Sequence, residues 1–507
     1  MGFMNFIVAL SPIIVVLVGI MAFKKSAMKV APIALLWTIV LAFTYFNVGG
    51  AAFSENVSTV DALLWKGVKE GLKIVAMVFA AFVILNTVKT TGAMEDIKNT
   101  VAKISRDRRV QAITIGMMVP IFLEGAAGAG APAAIAAPFL VALGFDPIVA
   151  IAVALLGDAT PCSWGGAGLT TITGGAALVT AGVSTTALNS AMVGRFHMFG
   201  VLIIPFLITA IAFGRKGFRG IVPYLLYAGV TTGATMFVLS NYIGPEVTSM
   251  GTGLISILFS VIYVKIFRIK TPEEYQYEFP KDIKPKYNAF RALSPYLYML
   301  VLLPVIRYSV PLRILTTFGY IVWVDCVIFL CAILGAVTLG VKRRQFHEIC
   351  RMTVRNVLPV LVTMGSLLVV AYIMQSSTTG MMTLIASGIA SVAAVLYPAA
   401  AVFIGSVGSF ITGTGLGSNI MFADMHITAA KSLGMNPITV FAGQNAGGSL
   451  GNLICPNNTV AACATVGEAG HESLVMKKTL AAYAVILVLY MALGMLYTLV
   501  LFPNFGA

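Results

Sequence analysis

The chain has 507 residues, 59% hydrophobic and only 10% charged, with a mean hydropathy of +0.94. A soluble domain carries about 25% charged residues, so the composition excludes a soluble enzyme as the body of the chain. The formal charge of +14, from 33 Lys+Arg against 19 Asp+Glu, sits in short loops between apolar runs and reads as positive-inside topology rather than as a nucleic-acid footprint.

Apolar runs long enough to cross a hydrocarbon core of about 30 Å recur along the chain. They fall at about 5–23, 30–48, 71–88, 194–213, 221–241 and 251–268, then at 293–310, 318–341, 357–375 and 479–502. No basic stretch precedes the first run, and Lys24 and Lys25 follow it. This predicts an uncleaved first span with its N-terminus outside. The basic loops are 24–29, 89–109 (with Lys103, Arg106, Arg108 and Arg109), 215–219, 269–291 and 342–355. These are expected to be cytoplasmic, and loops 49–70, 242–250, 311–317 and 376–380 external. Two regions, 111–183 and 403–467, are apolar but rich in Gly, Ala, Pro, Ser, Thr and Asn, which predicts interrupted helices. With one broken crossing and one re-entrant hairpin in each, about twelve crossings result, with both termini outside. Segment 381–402 is apolar enough to span and breaks that parity. The six cysteines show no paired metal spacing and read as small buried residues.

The two halves repeat. Residues 9–12 (Ala-Leu-Ser-Pro) recur at 292–295, and 90–92 (Thr-Thr-Gly) at 378–380. Phe122-x-x-Gly125 recurs as Phe410-x-x-Gly413, Gly144-x-Asp146-Pro-Ile as Gly434-x-Asn436-Pro-Ile, and Leu156-Gly-Asp158 as Leu450-Gly-Asn452. The matches are collinear, and their separation grows slowly from 283 to 294 residues. The flanking charge runs in opposite senses: 71–88 leads into a basic loop, whereas 357–375 leaves one. The predicted fold is therefore an all-α polytopic membrane protein built of two inverted repeats. Residues 1–220 form the first, with a hairpin at about 117–142 and a broken helix at about 146–183. Residues 221–291 connect. Residues 292–507 form the second, with a hairpin at about 405–430 and a broken helix at about 437–467. Inverted repeats with interrupted helices bind substrate near the midplane, where the repeats meet.

The chemistry concentrates in the interrupted segments. Residues 124–138 are rich in Gly and Ala, and Pro132 can open a helix inside the membrane. A half-helix that begins there presents free N–H groups to a carboxylate, with Gly125, Gly128 and Gly130 allowing close approach. Plain helix packing through small residues is the competing reading. Glu124 is the only ionisable residue between Arg109 and Asp146. A lone intramembrane carboxylate costs roughly 2.5–3.5 kcal/mol on insertion scales and commonly carries a proton. Asp158, before the helix-breaking Pro161, is the second candidate, and its repeat mate Asn452 is neutral. Capping of a helix break is the alternative role for both acids. Residues 356–423 hold no Asp, Glu, Lys, Arg or His. Polarity there must come from Thr412, Gly413, Thr414, Ser418 and Asn419, joined later by Gln444 and Asn452. Arg195 and His197 read as interface residues at the start of a span; Asp325, Asp424 and His426 rank lower still. There is no Walker motif, zinc-protease helix or nucleophile elbow, and no cofactor or metal is expected.

The stretch 124–138, with Ala159-Thr-Pro161 and Gly165-Gly-Ala-Gly168, resembles the bacterial L-lactate permease family. The resemblance continues through 408–413, Ser418-Asn419, Gln444, 447–452, 460–462 and 464–467. It implies uptake of L-lactate, and also of D-lactate and glycolate, together with protons, by a multi-pass protein of the plasma (inner) membrane. The chain departs from the family pattern at Ala129, where Phe is usual, at Asp158, where Asn is usual, and at 415–417, where a more polar stretch is usual.

The reading is a secondary transporter of a small organic anion, embedded in the lipid bilayer and coupled to protons through Glu124 or, as the alternative, Asp158. A homo-oligomer is compatible with it, and nucleic acid has no part in it. One alternative is a sodium-coupled carboxylate carrier, with Ser418-Asn419 and Asn458-Thr459 near helix breaks. An alternative of another class is an anion channel, which single-channel currents would reveal; no ring of fixed positive charge lines the broken segments.

Overall fold

The computed structural model describes residues 3–21, 23, 27–48, 53–128, 131–267, 269–277, 285–310, 314, 320–376, 379–381, 384–385, 388, 391, 393–468 and 471–506. Among these the chain is helical and holds no strand, only an isolated bridge between Asp107 and Gln276. The first half opens with α1 (Phe3–Met21), α2 (Ala27–Thr44), α3 (Phe53–Thr91) and α4 (Ala93–Ala102). Then α5 (Arg108–Ile113) runs through a π turn at Thr114–Met118 into α6 (Val119–Ala127), the chain breaks, and α7 (Ala131–Ala142) leaves. Next come α8 (Pro147–Gly157), a 3-10 turn at Pro161–Trp164, α9 (Gly165–Gly174) and α10 (Ala176–Thr180). The chain bends by 53° between α8 and the segment that follows it.

Three long apolar helices follow: α11 (Thr186–Phe213), α12 (Val222–Val238) and α13 (Pro245–Ile266). After them come α14 (Ala289–Ser309), α15 (Tyr320–Thr338) and α16 (Arg343–Gln375). The last set is α17 (Tyr397–Thr412), a break, α18 (Gly415–Ser432), α19 (Pro437–Gly451), a 3-10 turn at Asn452–Ile454, α20 (Pro456–Thr465) and α21 (Glu472–Leu496). Among the described residues four helices, α11, α13, and α12 and α21 taken with the π turns that extend them, are by themselves long and apolar enough to cross a membrane. Several shorter apolar helices accompany them.

Local chemistry explains the matched breaks. Gly144 (φ 81) and Gly434 (φ 64) end α7 and α18 in the left-handed region. Two residues on, the Asp146 side chain accepts from the Val149 N–H, and Asn436 accepts from the N–H groups of Ile438 and Thr439. Pro147 and Pro437 then occupy a first-turn position where a missing N–H costs nothing. The two halves also share a crossing. A side chain at Gly157 would meet the backbone of Gly116, and one at Gly451 the backbone of Ser406, so both broken helices approach a neighbour through small residues.

Four expectations are corrected. Residues 53–70 are not a loop but the first turns of α3, whose 39 residues run about 58 Å at 1.5 Å each. Residues 343–355 are likewise the start of the 33-residue α16, and α4 lies inside the loop expected at 89–109. Lys, Glu and Arg interrupt hydropathy without interrupting a helix, because they are good helix formers. Finally, Arg109 is no loop charge. It is fully buried, paired with Asp107 at 2.7 Å, and it donates to the carbonyls of Gly217 and Arg219. Segment 381–402 is described only in part: scattered residues up to 391, then 393–402, which include the start of α17.

The interrupted elements gather at the centre. α9 packs against α6, α13 and α18; α17 and α18 pack against α19; and α19 also touches α11 and α21. α1, α2, α3, α15 and α16 pack among themselves around this assembly, with α3 and α16 in long contact.

Candidate functional site

Both chain breaks come to rest on α9. The break after α6 is Gly128 (φ 62), whose N–H returns to the Glu124 carbonyl at 2.9 Å. A Cβ on Gly128 would stand 2.9 Å from the Gly166 nitrogen. The break after α17 is Gly413 (φ 78), and the next helix begins at Gly415, where a Cβ would lie 3.3 Å from Thr170. The contact points on α9, Gly166 and Thr170, are four residues apart. The chain between them is itself irregular: Gly166, Ala167 and Gly168 all have positive φ (54, 54 and 85°). Left-handed backbone costs an Ala about 1–2 kcal/mol, and such strain clusters where a backbone must face a ligand or a moving part. The sequence singled out these residues as part of a motif but carried no sign of that geometry.

Around the first break lies an acid cluster. Glu124 sits one turn before the end of α6, Asp158 is the C-cap of α8, and Cys162 follows in the 3-10 turn. One ligand atom from each, two carboxylate oxygens and a thiol, lie within 4.8 Å of one another. Among the described residues this is the one acid-and-thiol group with a spacing that suits a metal ion. Glu124 and Asp158 are 4% and 2% exposed, and Glu124 Oε2 and Asp158 Oδ1 have no hydrogen-bond partner. Gly165 makes room for the cluster, since a side chain there would run into Glu124 Oε1. The Cys162 thiol donates to the Asp158 carbonyl at 3.0 Å and is also within side-chain hydrogen-bonding range of Asn452. Asn452, the repeat mate of Asp158, accepts from the Ser409 hydroxyl at 2.9 Å. The structure thus joins the two acids that the sequence offered as alternatives, and brings the mate of one of them alongside.

The second break is held by its own side chains. Thr412 donates to the Gly408 and Thr414 carbonyls, and Thr414 caps α18 by accepting from the Gly417 N–H. Ser418 donates to the Gly405 carbonyl and accepts from Gln444, whose oxygen meets His426, which meets the Tyr397 hydroxyl. The polar atoms of Ser418 and Gln444 therefore already have partners within the protein. Gly125 lies inside α6, against the backbone of Met250 in α13. Gly130 is outside the described residues.

Two further unpartnered acceptors lie where the halves meet. Asn419 donates to the Thr170 carbonyl at 3.4 Å, and Asn445 donates to the Thr171 hydroxyl at 2.9 Å. Asn419 and Asn445 are both 0% exposed, yet neither Oδ1 has a partner. Below them a second network runs from Ser163 through both ring nitrogens of His197, each at 2.7 Å, to the Tyr490 hydroxyl. His197 is fully buried, which corrects its reading as an interface residue. Thr170, Thr171, Ser163 and Tyr490 escaped the sequence reading, because nothing local distinguishes them.

A family model described as L-lactate permease matches residues 5–325 and 299–502. The glycolate permease GlcA of Escherichia coli (strain K12) is 26% identical over 93% of this chain and 92% of its own length. An L-lactate permease of Bacillus subtilis (strain 168) is 27% identical over 80% of this chain and 81% of its own. In fold the chain is similar to the YdaH transporter of Alcanivorax borkumensis (TM-score 0.52, 12% identity, 92% and 98% covered). It is equally similar to MtrF of Neisseria gonorrhoeae (TM-score 0.52, 14% identity, 94% and 96% covered). With both interrupted regions inside the matched residues, the chain is a multi-pass transport protein of the cell membrane and belongs to the L-lactate permease family.

Proposed function

We infer that this protein takes up a small 2-hydroxy monocarboxylate by proton symport, with L-lactate as the first substrate and D-lactate and glycolate as its relatives. The observation that carries the reading is the buried pair Glu124 and Asp158 beside the first chain break. Two carboxylates this close repel when both are ionised, which favours a proton held between them. The pair then cycles between one proton and two. With one proton and no substrate the site carries a charge of about −1. With two protons and a bound anion it again carries about −1. Electroneutral symport follows, which removes the opposition of about 2.3 kcal/mol per charge per 100 mV that an inside-negative potential sets against an anion.

The substrate lies between the second break and α9. The N–H groups of Gly415 and Leu416 open α18 and suit a carboxylate. Thr412, Gly413, Thr414, Ser418 and Gln444 shape that tip, and Gly128 shapes the first. The Oδ1 atoms of Asn419 and Asn445 are acceptors in need of a donor, and a 2-hydroxyl supplies one. The matched caps and crossings of the two halves support inverted repeats at 1–220 and 292–507 around the connecting residues 221–291. In that frame the paired helices at 117–142 and 405–430 are re-entrant hairpins, and the chain makes about twelve crossings.

A sodium-coupled reading draws on the same two asparagine oxygens, which also suit a hard cation. Proteoliposomes separate the readings. Labelled lactate should accumulate under an inward pH gradient without sodium, and exchange against internal lactate without any gradient. Accumulation that needs sodium at constant pH would replace the proton with sodium. Failure to exchange lactate, D-lactate or glycolate would remove the substrate assignment.

A further inference from the structure

A groove of about 330 Å³ opens beside the first break, between α4, α6, α7, α13 and α14. Phe122 and Leu123 of α6, Ile135 and Phe139 of α7, and Leu254 and Ile257 of α13 give it apolar walls. Lys103 and Ile104 line this groove and also a second hollow of about 630 Å³, whose walls include Ser105, Arg106 and Thr271. Val264 lines the second hollow and the next residue, Lys265, lines the first. Lys103 therefore stands where the two hollows adjoin, with Lys265 on the first and Arg106 on the second. Lys103, Arg106 and Lys265 are exposed, and among the described residues no Asp or Glu lines either hollow.

An apolar chamber continuous with a cationic, hydroxyl-bearing vestibule selects an amphiphile. A soluble anion makes no use of the chamber, and an uncharged apolar molecule makes none of the cations. Residues 103–106 of the basic stretch 89–109 supply the vestibule's cationic side, with Ile269 and Thr271 at its edge. The charge of that stretch places the vestibule at the cytoplasmic surface, where the leaflet carries anionic lipid.

We propose that this composite groove binds an anionic phospholipid of the cytoplasmic leaflet, with an acyl chain between α6, α7 and α13 and its phosphate at Lys103, Arg106 and Lys265. The chain so placed touches both helices flanking the first break. Phe122 and Leu123 directly precede Glu124, so occupancy braces the element that carries the acid pair. The lipid is thus a regulator of transport rate.

Native mass spectrometry of the delipidated full chain, offered phosphatidylglycerol or phosphatidylcholine with the same acyl chains, tests the site. The wild type should retain phosphatidylglycerol in preference. Each cation removed should lower that preference about fivefold, the factor that about 1 kcal/mol represents, so K103A/R106A/K265A should lose about 100-fold. Ile257→Trp fills the chamber and should reduce retention of both lipids. Substrate exchange in phosphatidylcholine vesicles should speed up when phosphatidylglycerol is added, in the wild type but not in the triple variant. Equal retention of the two lipids by the wild type would overturn the proposal, as would a triple variant that keeps its preference. Glycerol phosphate competing as well as the intact lipid would overturn the acyl-chain part. Should Ile257→Trp fail to fold, the lipid comparison and the triple variant still decide.

Discussion

Replacing Glu124 and Asp158 by their amides, singly and together, tests whether the pair works as one proton site. The two carboxylates approach within 4.8 Å. At an effective dielectric of about 20, two unit charges at that distance repel by about 3.5 kcal/mol, a factor of several hundred against the doubly ionised state. The resting pair is then singly protonated, and Glu124→Gln imitates it with a permanently neutral partner. Asp158 remains to take and release the second proton. Asp158→Asn leaves Glu124 in the same position. Each single variant is therefore expected to keep coupling at a reduced rate, and only E124Q/D158N to lose it. One unit of pH difference stores about 1.36 kcal/mol, or about tenfold accumulation. Proteoliposomes with an alkaline interior should concentrate labelled lactate about tenfold for the wild type and both singles, and about onefold for the double variant. Exchange at equal pH should survive in all four proteins, because a permanently neutral pair can still shuttle loaded. A double variant that accumulates like the wild type would show that neither acid carries the proton. A Glu124→Gln variant as uncoupled as the double would make Glu124 the sole carrier and end the shared-proton argument.

Gly165→Ala drives a methyl group into Glu124 and should abolish uptake while the protein still reaches the membrane, as immunoblots of membrane fractions would show. Gly365→Ala, where nothing lies within 4 Å, is the control and should transport normally, with a gain of about 0.5–1 kcal/mol in helix preference. Asn419→Ala and Asn445→Ala should each cost about 1–3 kcal/mol of lactate affinity and leave competition by propionate, which lacks the hydroxyl, unchanged. A lactate-to-propionate ratio that does not fall in either variant would remove hydroxyl recognition from these residues. Arg109→Ala leaves Asp107 buried without its partner, and should lower stability by about 3–5 kcal/mol, seen as a large fall in melting temperature in detergent. Arg109→Lys should recover little, because one ammonium cannot replace a fork that serves Asp107 and two carbonyls.

Composition and apolar run length alone determined that this is a membrane protein of many helices, because a bilayer leaves backbone groups few other ways to be satisfied. The repeat was also legible. Gly144, Asp146 and Pro147 recur as Gly434, Asn436 and Pro437, and turn and cap chemistry is local enough to survive in a handful of residues. Charged helix ends were not legible. The acids and lysines of 53–70 lower hydropathy just as a loop does, yet they are good helix formers and α3 packs along α16. Glu124 and Asp158 each stood out as rare intramembrane charges, yet their pairing depends on α6 and α8 meeting at Cys162 and Gly165, a contact between segments with no shared periodicity. Asn445 and Thr171 lie 274 residues apart, and Ser163, His197 and Tyr490 form one network from three distant helices. A single sequence records residue type and spacing along the chain. Which buried acceptor is left without a donor is a property of three-dimensional neighbours, so the meeting point of the two halves was decided by tertiary structure alone.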